Sequence, residues 1–324
     1  MKAVLVNEDR TLRIGEFDRP EPKADELLVK VHATAVNRAD LLQKRGAYPP
    51  PKGASPILGL EAAGVVDAVG ARVEGWKPGD RVFALLPGGG YAEYATIPAE
   101  MAMRIPDKFS LEEAAAIPEV FLTAYMNLFW LGSVKEGDQV LIHAGASGVG
   151  TAAIQLVRAV GAEAIITAGS KEKRAFCKAL GAAEAIDYKA GPFQPKVNAW
   201  TNGKGVNVIL DFVGAPYWEQ NLQSLAVDGR LIIIGVMGGT KAENINLGQL
   251  LARRLHVIGT ALRSQPLWKK AKLTKAFADF ALPLFKEGTL KPVIDSVFDW
   301  EKVNEAHAHM EANKNTGKIV LRIH

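Results

Sequence analysis

The sequence is poor in the features that would commit it to several broad classes. It holds one cysteine, Cys177, so no internal disulfide can form and no all-cysteine zinc site can be built. No run approaches the ~18 consecutive apolar residues of a membrane-spanning helix. The N-terminal Met1-Lys2-Ala3-Val4-Leu5-Val6-Asn7-Glu8-Asp9 is a short strand-like run without an apolar signal core. A reducing, cytoplasmic setting with no membrane partner is the expectation. Charge of one sign is also scarce: 39 Lys and Arg against 35 Asp and Glu leave +4, too even a balance to argue for nucleic acid. There is no internal repeat or low-complexity tract, and 48% apolar with 23% charged residues excludes a disordered, collagen-like or coiled-coil chain. What remains, over 324 residues, is an enzyme-sized globular chain of about two domains.

Gly and Pro punctuate the first ~120 residues densely, between short β-branched runs such as Leu27–Val31, Gly64–Val69 and Arg81–Leu85. Near Pro118 the pattern changes. Apolar runs at Val140–His143, Ala164–Thr167, Ala185–Asp187, Val206–Leu210, Leu231–Ile234 and Leu255–Gly259 alternate with helix-length amphipathic stretches, among them Thr151–Val160 and Lys171–Leu180. That alternation predicts an α/β fold with a doubly wound parallel sheet. A long helix is expected at Leu267–Glu287, and the closing Lys318–Ile323 reads as a strand returning to the first domain. The expected division is 1–120 with 263–324, and 121–262.

The segment Ile142-His143-Ala144-Gly145-Ala146-Ser147-Gly148-Val149-Gly150-Thr151 lies between a strand and a helix. Small residues there let backbone N–H groups reach a pyrophosphate at the positive end of the helix. The spacing G-x-x-G-x-G departs from the usual G-x-G-x-x-G, and a tight turn chosen for packing would read the same. An NAD site normally carries an acidic residue about 20 residues further on, at the tip of the second strand. This chain has Ala168-Gly169-Ser170-Lys171-Glu172-Lys173 there. A hydroxyl at Ser170 and an ammonium at Lys173 or Lys171 suit a 2′-phosphate, so NADPH is expected; the alternative is that these lysines only coat a helix.

Several further segments resemble the zinc-independent quinone oxidoreductase branch of the medium-chain dehydrogenase/reductase superfamily. They include Asn37-Arg38-Ala39-Asp40, Gly46-Ala47-Tyr48-Pro49-Pro50-Pro51, Leu58-Gly59-Leu60-Glu61, Lys77-Pro78-Gly79-Asp80-Arg81-Val82, Ala115-Ala116-Ile117-Pro118-Glu119 and Met310-Glu311-Ala312-Asn313-Lys314-Asn315. The resemblance implies a GroES-like β-rich catalytic domain, a Rossmann-type NADPH-binding domain, an active cleft between them, and a homodimer joined near Leu255–Thr260. The zinc-bearing relatives carry a cysteine where this chain has Asn37 and a histidine where it has Leu60. No metal ligand set is therefore expected, and His307 and His309, two apart on a helix, would diverge.

By the same resemblance Tyr48 lines the acceptor pocket as a potential proton donor, the alternative being a loop tyrosine packed on proline. Asn37 is a second polar candidate of the cleft and an implied cofactor contact, or else a helix cap. Ser147 is implied near the nicotinamide as well as in the phosphate loop with Ala146, Gly148 and Val149. Thr123 would bond the carboxamide, Tyr188 would lie over the 2′-phosphate, and Gly169 is a further implied cofactor contact. Val213, Gly214, Gly235, Met237, Gly238 and Leu262 complete the implied cofactor path, with Lys318 a further contact. The activity implied is transfer of hydride from NADPH to a quinone. Reduction of enones or 2-enoyl thioesters is the alternative on the same scaffold. An alternative of another class is a non-catalytic NADPH- or RNA-binding protein, for which Arg253-Arg254 and the Lys269–Lys275 cluster would be the basic surface.

Overall fold

A computed structural model describes residues 1–243 and 245–324. In chain order the first elements are β1 (Lys2–Val6), β2 (Leu12–Glu16), β3 (Glu26–Val36), α1 (Arg38–Lys44), β4 (Glu61–Val69), β5 (Arg81–Leu85), β6 (Tyr94–Pro98) and β7 (Ala102–Arg104). Helices α2 (Leu111–Ala115) and α3 (Pro118–Tyr125) follow. Strands and helices then alternate through β8 (Gln139–Ile142), α4 (Gly148–Ala159), β9 (Glu163–Ala168), α5 (Lys171–Leu180), β10 (Glu184–Asp187) and α6 (Gln194–Trp200). The alternation continues with β11 (Val206–Asp211), α7 (Trp218–Ser224), β12 (Leu225–Ile233), α8 (Leu247–Ala252) and β13 (His256–Gly259). The chain closes with α9 (Leu267–Glu287), β14 (Ile294–Asp299), α10 (Val303–Glu311) and β15 (Lys318–Arg322).

Contacts group these elements into two units, Met1–Leu122 with Arg263–His324, and Thr123–Leu262. In the first, a sheet runs β14-β15-β3-β4-β5-β7, with β6 laid antiparallel on β3. β3 is buried along most of its length because strands cover it on both edges and helices pack on it. β15 reaches it from the far end of the sequence, pairing Ile319 with Val36 and Leu321 with Thr34. Helix α9 buries Phe277 and Phe285, whose rings meet Phe121 at 6.3 and 5.0 Å between centroids.

The second unit is a six-stranded parallel sheet in the order β10-β9-β8-β11-β12-β13. Written from its own first strand this is 3-2-1-4-5-6, the Rossmann order, in which ligands bind where the winding reverses, outside the carboxyl ends of the first and fourth strands. Here those strands are β8 and β11. Leu141, Ile165, Ile209, Leu222 and Leu231 fill the core on one face with Phe193 and Val197 of the α6 region. The helix expected to begin at Thr151 begins at Gly148, because Ser147 caps it. The strand expected at Leu231–Ile234 starts earlier, at Leu225. Between Val206 and Val208 its partner β11 spans only two positions while β12 advances from Leu225 to Arg230, so the excess loops out through Asp228 at φ 64°. Among the described residues no helix is long and apolar enough to cross a membrane.

Candidate functional site

At the tip of β8 the chain turns through Ala144 at φ 49° and enters α4 at Ser147, whose Oγ accepts the Gly150 N–H at 3.1 Å. The turn is close-packed. A Cβ on Gly150 would lie 2.5 Å from the Ala144 and Gly145 carbonyl oxygens, and one on Gly145 would lie 2.5 Å from Ile166 Cβ. Gly148 and Val149 stand in the first turn of α4, where helix N–H groups lack intrahelical partners and favour an anion. At the neighbouring tip of β9, Ser170 caps α5 by accepting the Lys173 N–H at 3.2 Å. Tyr188, 42% exposed just past β10, leans over Gly169, where an added Cβ would sit 2.7 Å from its Oη. Gly169, Ser170, Lys173 and Tyr188 are thus brought together. The nearby carboxylate of Asp187 is occupied by Arg174 at 2.7 Å.

The tip of β11 carries an arrangement that the sequence reading missed. Asp211 accepts the backbone N–H groups of Val213 at 2.7 Å and Gly214 at 3.2 Å, and the Asn221 side-chain amide at 3.1 Å. Asn221 Oδ1 in turn lies 2.7 Å from His143 Nε2, and His143 Nδ1 lies 3.0 Å from Thr167 Oγ1. Because Oδ1 can only accept, Nε2 carries the proton and Nδ1 takes the threonine hydroxyl. Burial holds His143 in that neutral form by lowering its pKa. The chain ties together the ends of β8, β9 and β11. Gly235 N–H bonds Asp211 O at 3.2 Å, Met237 N–H bonds Phe212 O at 3.1 Å and Gly238 N–H bonds Val213 O at 2.8 Å, zipping the loop after β12 to the loop after β11. Thr123 and Leu262 bound this unit and are both buried.

In the first unit the polar candidates lie in two buried clusters. Lys318 is 3% exposed and its Nζ donates to Glu61 Oε1 at 2.8 Å, Asn37 Oδ1 at 2.6 Å and Val36 O at 3.2 Å. Asn37 Nδ2 reaches the same Glu61 oxygen at 2.8 Å, while Glu61 Oε2 accepts the Glu119 N–H at 2.8 Å. Asn37 does stand at the start of α1, but its side chain is spent on the ion pair. The capping bond runs the other way, from Asn37 N–H to Asp40 Oδ2 at 2.8 Å. Lys318, expected as a cofactor contact, has three protein acceptors that any such contact would have to share.

Asp40 also accepts Gly59 N–H at 2.9 Å and Tyr91 Oη at 3.3 Å, and burial pushes its carboxyl up to about 6. Tyr91 Oη lies 3.2 Å from His307 Nε2. With Tyr91 donating to Asp40, His307 Nε2 donates to Tyr91, and burial pushes the imidazole down to about 3. His309, two residues on, points elsewhere and meets Asp295 at 2.8 Å. The two shifts have opposite linkage. His307 stabilises the fold above about pH 6.5 and loses that contribution as pH falls toward 3; Asp40 favours the fold at low pH and loses that as pH rises from 3.8 to about 6. His307→Gln keeps a donor for Tyr91 and removes the acid-side loss. Relative to the wild type, it should gain roughly 2 kcal/mol on going from pH 7 to pH 5. Thermal unfolding at both pH values checks this; the same pH shift in both proteins would refute it.

Tyr48 lies in the irregular loop after α1, half-buried. Burial raises its phenol pKa, partly offset by the Arg263 guanidinium. The guanidinium carbon is 5.3 Å from the Tyr48 ring centroid, so a cation, not proline alone, sits against the ring. Cys177 is buried in α5 with its thiol pushed up to about 12, an inert core residue. On the basic surface, Arg254 is paired with Asp228 at 2.7 Å and Arg253 donates to Leu222 O at 2.9 Å.

Residues 23–107 match the family described as alcohol dehydrogenase GroES-like domain, and residues 148–278 match zinc-binding dehydrogenase. The human protein named quinone oxidoreductase is 32% identical, with 96% of this chain and 97% of that one covered. A mycobacterial protein solved as a complex with NADPH superposes with a TM-score of 0.89 at 30% identity, covering both chains completely. The CurK enoyl reductase superposes at 0.88 with 28% identity over 99% of this chain and 98% of its own. The zinc in the second family description has no donor set here: among the described residues no three His, Cys, Asp or Glu side chains are grouped to hold a metal. A nicotinamide dinucleotide does fit the donors present, since the tight turn after β8 leads straight into the Ser147-capped N-terminus of α4, whose first-turn N–H groups lack intrahelical partners.

Proposed function

Since the chain belongs to the zinc-independent quinone oxidoreductases of the medium-chain dehydrogenase/reductase superfamily, we propose that it is an NADPH-dependent reductase of quinones. Unit 121–262 is read as the cofactor domain, and 1–120 with 263–324 as the catalytic domain. Bound NADPH would supply the hydride. In this reading the first turn of α4, with Ala146, Ser147, Gly148 and Val149, holds the pyrophosphate, and Ser170 and Lys173 hold the 2′-phosphate with Tyr188 above it. Val213, Gly214, Gly235, Met237, Gly238, Thr123 and Leu262 line the path to the nicotinamide. Asn37 and Lys318 act as braces under the catalytic surface through Glu61.

The observation that carries the reading is Tyr48. An acceptor that takes hydride without a Lewis acid must already be electrophilic, and its developing oxyanion needs a proton. A half-buried phenol whose pKa is raised stays protonated at neutral pH and can donate one. The choice of NADPH over NADH rests on the β9 tip, where Gly169-Ser170-Lys171 offers a hydroxyl and an ammonium and no carboxylate. The same protonated phenol, with the likeness to an enoyl reductase, favours 2-enoyl thioester reduction as the second reading. Pairing of β13 with its copy is the proposed homodimer contact: it is one of the sheet's two edge strands, and Leu251 of the preceding helix is 82% exposed. A cytoplasmic location goes with this reading.

The test is NADPH oxidation against an ortho-quinone, a para-quinone and a 2-enoyl thioester, with and without a strong chelator, in wild type and Tyr48→Phe. Quinone turnover that survives chelation is expected, with Tyr48→Phe losing about tenfold or more where proton donation limits the rate. Loss of turnover on chelation with recovery on zinc addition would overturn the metal-free reading. Turnover of the thioester alone would make the second reading correct.

A further inference from the structure

We propose that Arg263 is a positioning residue that fixes the Tyr48 loop in place for the acceptor. This deepens the reading of Tyr48 just given and rests on it. The loop from Arg45 to Ile57 contains no regular element, and its Gly46 and Gly53 take left-handed φ values of 76° and 83° with open space around them. Short-range backbone bonds, Ala47 N–H to Leu42 O at 2.9 Å and Ala54 N–H to Pro51 O at 3.0 Å, turn the chain on either side of Tyr48 but do not hold its ring. The fixing comes from outside. Arg263 Nη2 donates to Gln43 Oε1 at 2.7 Å, and Gln43 Nε2 donates to Pro56 O at 3.0 Å. Gln43 lies just before the loop and Pro56 at its far end, so one amide oriented by the guanidinium ties the two ends together.

The same guanidinium is itself anchored. Nε and Nη2 both donate to Pro87 O, at 2.9 and 2.7 Å, in the turn after β5. The Arg263 side is completed by Lys270 Nζ, which donates to Arg263 O at 3.4 Å. Arg263 is only 7% exposed, and its buried Nη1 has no hydrogen-bond partner. A buried N–H donor without an oxygen is costly; what stands beside this guanidinium instead is the face of Tyr48, 5.3 Å away, an attraction that burial strengthens. The charged groups acting on Tyr48 are Arg263, which lowers its pKa, and Glu119, which raises it; Asp40 acts on Arg263, which in turn lowers the pKa of Lys270. Arginine is required because the arrangement uses a planar fork and a stacking face together, which lysine lacks.

The experiment places 3-fluorotyrosine at position 48 in the full-length enzyme and follows its fluorine resonance with pH in wild type, Arg263→Met and Arg263→Lys. Acceptor kcat and KM and the NADPH dissociation constant are measured on the same proteins. Arg263→Met should raise the Tyr48 midpoint by about one pH unit and lower acceptor kcat/KM about tenfold, with NADPH affinity within about twofold. Arg263→Lys should restore the midpoint but not kcat/KM. An unmoved resonance in Arg263→Met overturns the proposal, whatever turnover does. A moved resonance with unchanged turnover leaves the clamp standing and removes Tyr48 from the reaction. If Arg263→Met does not fold, Arg263→Lys decides: a tenfold loss in kcat/KM with an unchanged midpoint supports the clamp, and an unchanged kcat/KM overturns it.

Discussion

Replacing Lys318 by Met should destabilise the protein by about 3–5 kcal/mol, because it strands a carboxylate in the interior. Glu61 is fully buried and Lys318 nearly so, and the 2.8 Å contact between them is the only ion pair Glu61 makes among the described residues. The amide N–H groups of Asn37 and Glu119 would still reach the carboxylate, yet neutral donors do not replace a cation in a low-dielectric setting. Glu61→Gln should be damaging in the converse sense, leaving a buried ammonium with Asn37 Oδ1 and Val36 O as its acceptors. The decisive protein is the double variant. Met beside Gln carries no buried charge, so its loss should be well short of the sum of the two single losses. Denaturant unfolding of the four proteins gives the coupling directly. Additive losses, or a Lys318→Met cost below about 1 kcal/mol, would mean that the pair behaves like an exposed one. NADPH affinity in the double variant also settles the role of Lys318: a brace leaves it nearly unchanged, whereas a direct cofactor contact lowers it.

That ion pair shows which part of the molecule could be read from sequence. The central strands of the second unit were legible because a parallel strand covered on both faces is a short apolar run, and β8, β9 and β11 are such runs. The glycine cradle was legible for a similar reason, since strand, small-residue turn and helix are contiguous. Glu61 and Lys318 are 257 residues apart, and no local pattern says that β15 will lie beside β3 and deliver its first residue to that carboxylate. Asn37 read as a polar site candidate or else a cap; that its side chain would join Lys318 and Glu61 depends on partners invisible from Arg38. The same holds for His143, Asn221 and Asp211, whose chain of bonds crosses three strand ends, and for Arg263, whose importance comes from Gln43, Pro56 and Pro87. Local sequence reports propensity and periodicity, while a buried polar group is placed by whatever distant segment satisfies it.

Gly150→Ala should lower NADPH affinity by about a hundredfold while leaving the sheet folded. The methyl carbon would have to stand 2.5 Å from two backbone carbonyl oxygens, those of Ala144 and Gly145. Unlike the end of a flexible side chain, neither oxygen can swing aside, since Gly145 N–H is bonded to Thr167 O at 3.0 Å and Ser147 N–H to Ala144 O at 2.8 Å. Relief must therefore come from α4 moving away from the turn. Such a shift drags the Ser147 cap and the first-turn N–H groups with it, and those groups are the donors assigned to the pyrophosphate. A displacement of several tenths of an ångström is small for packing in a helix otherwise held by Ile154, Leu156 and Val157, but large for donors that must converge on one anion. Cofactor fluorescence titration below the variant's melting temperature separates the two effects. Unchanged affinity would show that this turn packs helix on strand and does not hold phosphate. Weakened affinity with near-normal unfolding would place the pyrophosphate on the N-terminus of α4.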